Sequence, residues 1–489
     1  MRYFALRRGS VSSTAIIALG VALAFPQGGT FQDPAEPQAN LTGPKLPDAV
    51  SGRILRSDVS EDSLRATIEE LAGCGTRHSL SSWNDPKRGI GCGRDHIVAR
   101  LNAISETNGG RLQVVVDRFQ ATAERTHNQP VPLENVYGIL PGSDPALSKT
   151  AIVVSGHFDS MPSDFMNPEL DAPGADDDAS GTAVSLECAR LLAPISSGQA
   201  PGHYRATLVF AAVSGEEQGL LGGTRLLEYL RQNGYTVGAM LDNDIVGADF
   251  APGGPHRVRL FSGRGPDGED SPSLRLRSPL DFRSGSLSLS KGGTVSEVEP
   301  SRELARAVEE IAGREHVRLI FRSDRLGRGG DHLPFVNAGL AAVRFTEPLE
   351  DYHHEHQTPR VENGVEFGDL IKFLNFHFIS DVAWANAEVL RELALAPAPP
   401  GNVTLSGAVT PDAKISLSAG DDSERAGFEI LWRETTDPRW SVLTTSAAPG
   451  EVILKGVSTD NHFFAVRSVG TNGARSIAVN APPGRPRNP

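Results

Sequence analysis

S-G-H-F-D-S at residues 155–160 and P-G-A-D-D-D-A-S-G at residues 173–181 decide the reading of this chain. The run just ahead, Ala151 to Ser155, is short, apolar and β-branched, and predicts a buried strand ending at Gly156. His157 and Asp159 then leave the strand's carboxyl end together, and the second loop brings further carboxylates back. A neutral imidazole beside several carboxylates is a nitrogen-and-oxygen donor set suited to zinc. Either fragment alone also reads as a solvated acidic loop, so the rest of the chain has to decide.

Downstream, Ser180 to Leu192 predicts a helix whose start is capped by the Asp-rich turn. Ala206 to Val213 is a second buried strand, ending in S-G-E-E-Q-G, followed by a helix carrying Leu220, Leu221, Leu226, Leu227 and Leu230. Val237 to Leu241 is a third strand, ending in D-N-D-I-V-G. Alternation of this kind predicts an α/β fold: a mixed, largely parallel central sheet with helices on both faces. Ligands in such sheets collect beyond the carboxyl ends of the strands, where every acidic cluster named here falls.

Upstream, helices are predicted over 61–72 and from about Cys92 to Ile104, then strands over 112–119 and 135–140. Beyond the third strand, 263–298 is polar and Gly/Ser-rich, an excursion or lid over the sheet. A helix (302–311), a strand (317–321), a helix opened by G-G-D-H-L-P-F and a strand (342–345) lead into E-P-L-E-D-Y-H-H-E-H-Q-T-P. One long helix is predicted from Val365 to Leu395. A-P-A-P-P-G (396–401) reads as a stiff linker between two independent cores. Residues 402–489 show short alternating runs between turns, a small all-β sandwich that resembles a fibronectin type III module.

The 489 residues carry a formal net charge of −13, with 39% hydrophobic and 22% charged residues. That balance belongs to a folded protein and argues against nucleic-acid binding or docking on anionic lipid. Arg2, Arg7 and Arg8 precede an apolar run from Ala15 to Phe25 with a small-x-small site at 22–24, so residues 1–24 read as a signal peptide. Residues 25–50 read as a disordered spacer and 51–395 as the main domain; the product is exported, secreted or periplasmic, without stable membrane insertion. Of three cysteines, Cys74 and Cys92 can close a loop as a disulfide, whereas Cys188 falls in a helix as a buried thiol.

Three more fragments complete the constellation: Glu216-Glu217 at one strand end, Asp244 at the next, and the histidines of Y-H-H-E-H-Q-T after a late strand. So many carboxylates buried together require cations. In this order, H-x-D, P-G-A-D-D-D-A-S-G, S-G-E-E-x-G, N-D-I-V-G and Y-H-x-x-x-Q-T resemble the secreted two-zinc aminopeptidases, relatives of glutaminyl cyclases and glutamate carboxypeptidases. The resemblance spans roughly 55–392.

It implies a zinc-dependent exopeptidase with two zinc ions per chain, acting on peptides with a free N-terminus. By that resemblance His157 and Asp244 bind one zinc, Glu217 and His353 the other, and Asp177 bridges them. Asp176 and Asp178 are the alternatives for the bridge, and His354 and His356 for His353. Asp159 orients the His157 ring, Glu216 is the general base on a water held between the zincs, and Tyr352 polarises the scissile carbonyl. Gln357 stands where the family often has Asp, so the carboxylate behind His353 is absent or supplied by Glu355. A carboxypeptidase or dipeptidase of the same superfamily needs a cation for the substrate carboxylate, for which Arg344 and Arg360 are candidates. A one-zinc cyclotransferase tends to lose part of the bridging pattern, and a non-catalytic binding protein would not need Glu216.

Overall fold

Continuous apolar runs in the inner strands give the central sheet two buried faces, each covered by helices. The computed structural model describes residues 43–48, 50, 52–194, 204–263 and 299–483. The signal segment, most of the spacer, and 264–298 of the expected excursion lie outside the described residues.

Two helices come first, α1 (Glu61–Ala72) and α2 (Ile90–Thr107), then the antiparallel pair β1 (Gln113–Ala121) and β2 (Val131–Leu140). The centre follows as β3 (Thr150–His157), α3 (Ala179–Leu192), β4 (Thr207–Val213), α4 (Leu221–Gln232) and β5 (Thr236–Asn243). The chain continues through β6 (Val258–Phe261), α5 (Pro300–Ala312), β7 (Val317–Ile320), α6 (Leu333–Asn337) and β8 (Ala342–Thr346). The eight strands lie in the order β1-β2-β4-β3-β5-β8-β6-β7. Strands β4, β3, β5 and β8 run parallel, so their carboxyl ends share one edge. The outer pairs β1–β2, β2–β4 and β6–β8 are antiparallel.

Period-two burial explains the layering. Ile152, Val154, Leu208, Phe210 and Leu241 meet α1, α2, α3, α5 and α7 (Phe376–Leu395) on one face. Ala151, Val153, Val209, Ala211 and Met240 meet α4 and α6 on the other. Leu64, Ile68 and Leu71, at helical spacing on α1, are almost wholly buried, each contributing about 1.5–3 kcal/mol. Cys74 and Cys92 form a disulfide that ties the end of α1 to the start of α2, and Cys188 is a buried free thiol. Among the described residues no helix is long and apolar enough to cross a membrane.

The long helix expected from Val365 is shorter. Residues 360–367 form a hairpin, β9 (Arg360–Glu362) and β10 (Val365–Phe367), turning at Asn363 and Gly364, whose φ values are +52° and +81°. Asn-Gly favours that two-residue turn over a helix. Helix α7 starts only after Asn375, whose side chain caps it by accepting from Phe378 N–H. Strand β6 also escaped the sequence reading.

The C-terminal strands make two antiparallel sheets. One is β11 (Gly401–Ser406), β12 (Ala413–Ser418) and β15 (Gly450–Leu454); the other is β14 (Ser441–Ser446), β13 (Arg425–Glu434), β16 (His462–Gly470) and β17 (Val479–Asn480). These sheets are not held by the linker alone. Arg467 spans Glu310 of α5 at 2.7 and 2.9 Å, Arg439 makes two 2.7 Å contacts with Glu309, and Trp440 Nε1 donates to Glu303 at 2.6 Å. The end of the expected spacer is also engaged: Pro44 O accepts from Thr445, and Arg475 reaches the carbonyls of Pro47 and Asp48.

Candidate metal centre

The candidate side chains sit at the ends of the parallel strands or in the loops that follow them, and buried carboxylates hold those segments by their backbone amides. His157 closes β3, and its N–H donates to Asp178 Oδ2 at 2.9 Å. The other Asp178 oxygen accepts from Gly181 N–H (2.9 Å), capping α3, and from Ile245 N–H (3.3 Å) after β5. One carboxylate thus joins three segments of the site. The approach demands glycine: a Cβ on Gly156 would stand 2.3 Å from the Gly181 carbonyl carbon.

The three consecutive aspartates divide their work. Asp176 Oδ1 accepts from Gly247 N–H at 2.6 Å, and Asp178 is committed as described. Asp369 accepts from Asp176 N–H at 2.7 Å and Asp177 N–H at 2.8 Å, fixing the loop from below. Asp177 alone of the three reaches both candidate histidines. Asp369 was missed by sequence reasoning, and no local motif announces it because it acts on backbone rather than on a ligand.

Two trios meet at Asp177. His157, Asp177 and Asp244 form one, and Asp177, Glu217 and His356 the other, with each trio's ligand atoms within 4.8 Å of one another. His157 Nε2 is 3.0 Å from Asp177 Oδ1 and 3.8 Å from Asp244 Oδ1. His356 Nε2 is 2.8 Å from Asp177 Oδ2 and 3.0 Å from Glu217 Oε1. His157 Nε2 and Glu217 Oε1 are buried without an aligned hydrogen bond. Unsatisfied buried nitrogen and oxygen among carboxylates is the donor set that a zinc ion fits.

Asp159 Oδ1 lies 3.5 Å from His157 Nδ1, and its carboxylate accepts from Ser79 Oγ (2.9 Å), Glu216 N–H (3.3 Å) and Glu217 N–H (3.2 Å). It therefore steadies the glutamate turn as well as the imidazole. Arg77, fully buried, donates to the carbonyls of Phe158 (2.6 Å) and Gly174 (2.8 Å), joining the two loops that carry His157 and Asp177.

The structure brings His356, not His353, to the cluster. Asp351 accepts from His353 N–H and lies 2.8 Å from its ring, turning it outward with its side chain 56% exposed. His354 stacks on Phe373, 3.6 Å between ring centres. A left-handed backbone at His356 (φ +49°) then swings the third ring inward. Tyr352 is also displaced: it is 66% exposed and lines a shallow pocket with His353 and Phe250, apart from the cluster. Glu355 is buried near Arg328 (3.5 Å) rather than behind His353. Gln357 accepts from Arg360. Arg344 is buried against Asp244 (2.8 Å) and Asp324 (3.3 Å), so it faces no substrate.

Burial by itself would lower the His157 and His356 pKa values. Contacts to Asp159, Asp177 and Asp244 for the first, and to Glu217 and Asp177 for the second, raise both well above the usual range. Burial raises Glu216 well above an ordinary carboxyl against the pull of His157, and Asp244 and Glu217 push it further. Burial would also raise Asp244, but Arg344 and His157 hold it low. The cluster opens on a cavity of about 490 Å³ lined by Asp177, Glu216, Glu217, Asp244 and His356, and by Arg125 and Arg328.

Peptidase family M28 matches residues 135–252, the stretch holding His157, Asp159, Asp177, Glu216, Glu217 and Asp244. A probable zinc metalloprotease of Pyrenophora teres f. teres is 37% identical over 435 residues, covering 87% of this chain and 86% of that protein. One of Pyricularia oryzae is 38% identical over 480 residues, covering 94% and 90%. Among solved structures, the LapA aminopeptidase of Legionella pneumophila aligns at 16% identity with a TM-score of 0.47, covering 70% of this chain and 74% of that one. The family match, together with 37–38% identity to these metalloproteases over most of both chains, shows that the chain belongs to peptidase family M28.

Proposed function

We propose that this protein is a zinc aminopeptidase that binds two zinc ions and removes N-terminal residues from peptides. The observation that carries the reading is the pair of trios sharing Asp177 at the floor of an open cavity. His157 and Asp244 would hold one ion, Glu217 and His356 the other, and Asp177 both. Zinc there supplies Lewis acidity for the scissile carbonyl and lowers the pKa of water.

The chain's own residues do the rest. Glu216 lines the cavity while its backbone amide is pinned by Asp159. Its carboxylate would accept a proton from water and return it to the leaving amine. Asp159 keeps the His157 ring and the glutamate turn in register, in the manner of groups that orient metal ligands from behind. The carboxylate-rich floor favours a substrate amine over a carboxylate at that end. The Cys74–Cys92 disulfide supports export to an oxidising compartment.

The test compares a leucyl peptide with its N-acetyl and C-amide forms. Cleavage of the free and amidated peptides, with the acetylated one spared, is expected. Loss on amidation with acetylation tolerated would make the enzyme a carboxypeptidase.

A further inference from the structure

The cavity that the metal ligands line also carries arginines of two kinds. Arg325 lies 2.9 Å from Glu350, and Arg328 also bonds Glu350. Both are paired with a carboxylate where they stand. Arg125 is different. Its Nη1 donates to the backbone carbonyl of Glu217 at 2.7 Å and reaches the Met161 sulfur at 3.8 Å. Its guanidinium carbon lies 5.2 Å over the Phe165 ring, a side chain that is itself exposed. Among the described residues no carboxylate pairs with Arg125, and its Nε and Nη2 make no hydrogen bond.

The position is built rather than incidental. Arg125 occupies a short turn, Glu124–Thr126, between β1 and β2. Buried Thr126 locks that turn, its Oγ1 accepting from Ala123 N–H (2.9 Å) and donating to Gln129 O (2.8 Å). Backbone, sulfur and ring contacts fix one edge of the guanidinium, leaving the other free at the cavity lip. A planar fork held this way matches a carboxylate in two parallel hydrogen bonds. Its anchor is the carbonyl of Glu217, and it lines the same cavity as the metal-binding side chains.

We propose that Arg125 is a specificity-determining residue that binds a carboxylate of the substrate next to the scissile bond. This rests on the peptidase reading above and narrows its substrate class. The carboxylate has two sources, an acidic N-terminal side chain or the α-carboxylate of a short peptide or product. Either one places its anion at Arg125, while the acidic floor receives the amine.

The experiment is calorimetric binding to the zinc-loaded full chain, wild type against Arg125→Gln and Arg125→Lys. One ligand pair is leucine and leucinamide; the other is glutamic acid α-amide and glutamine α-amide. In at least one pair, wild type should prefer the carboxylate, and Arg125→Gln should erase that preference by roughly ten- to hundredfold. Arg125→Lys should retain part of it. The pair that responds identifies the source. An unchanged ratio in both pairs, or no wild-type preference, overturns the proposal. So does equal weakening of all four ligands, which would make Arg125 a support for the Glu217 backbone. Binding needs no turnover, so a wild type that cleaves no unblocked peptide refutes the aminopeptidase reading while this assay still judges Arg125.

Discussion

Replacing His356 by Gln should loosen one zinc site, whereas His353→Gln should leave both intact. His356 Nε2 stands 2.8 and 3.0 Å from two carboxylate oxygens, and its side chain is the only imidazole in its trio. Zinc bound by four protein ligands gains about 10–16 kcal/mol, or roughly 2.5–4 kcal/mol per ligand. Losing His356 should therefore weaken that site by about two to three powers of ten. His353 makes a half-exposed contact with Asp351, a kind worth about 0–1 kcal/mol and unconnected to the metal. The assay is competition with a chromophoric chelator, with circular dichroism as the check on folding. Equal weakening by the two variants, or a larger effect from His353→Gln, would refute the placement of the Y-H-H-E-H segment.

Other outcomes follow from the same geometry. Glu216→Gln should keep both zincs yet lose roughly a hundredfold to ten-thousandfold in turnover; metal loss measured by mass spectrometry would mean that Glu216 is a ligand. In the metal-free protein the raised His157 and His356 pKa values stabilise the fold below the ordinary histidine value of about 6.5. That contribution disappears as pH rises through the folded values. Zinc must displace those protons, so its apparent affinity should climb with pH; thermal unfolding from pH 5.5 to 9, with and without zinc, checks both trends. Arg439→Met removes the bidentate partner of buried Glu309 and should cost about 1–3 kcal/mol. A chain ending at Leu395 should likewise melt lower than the full protein, and an equally stable fragment would show that the α5 interface contributes nothing.

The strand-end acids were legible because β3, β4 and β5 are continuous apolar runs that stop where the polar motifs begin. The motif already picks Asp177 for the bridge, but why Asp176 and Asp178 do not serve shows only in the backbone amides each accepts. The histidine was misread for a related reason. Three imidazoles in five residues look alike in sequence, and selection among them depends on Asp351 holding His353 outward and on a left-handed turn at His356. The helix starting at Val365 failed because its apolar spacing suits both a helix and a hairpin followed by a capped helix, and Asn363-Gly364 decided it. Asp369, Arg77 and Arg125 gave no signal, as each acts through backbone atoms far away in sequence.

Zinc titration into the chelator-stripped protein, followed by release of the N-terminal residue from a leucyl peptide, tests the central claim most directly. Two trios sharing Asp177 predict activity that reaches its maximum at two zinc equivalents per chain. Full activity at one equivalent, or no release at any zinc level, would contradict it.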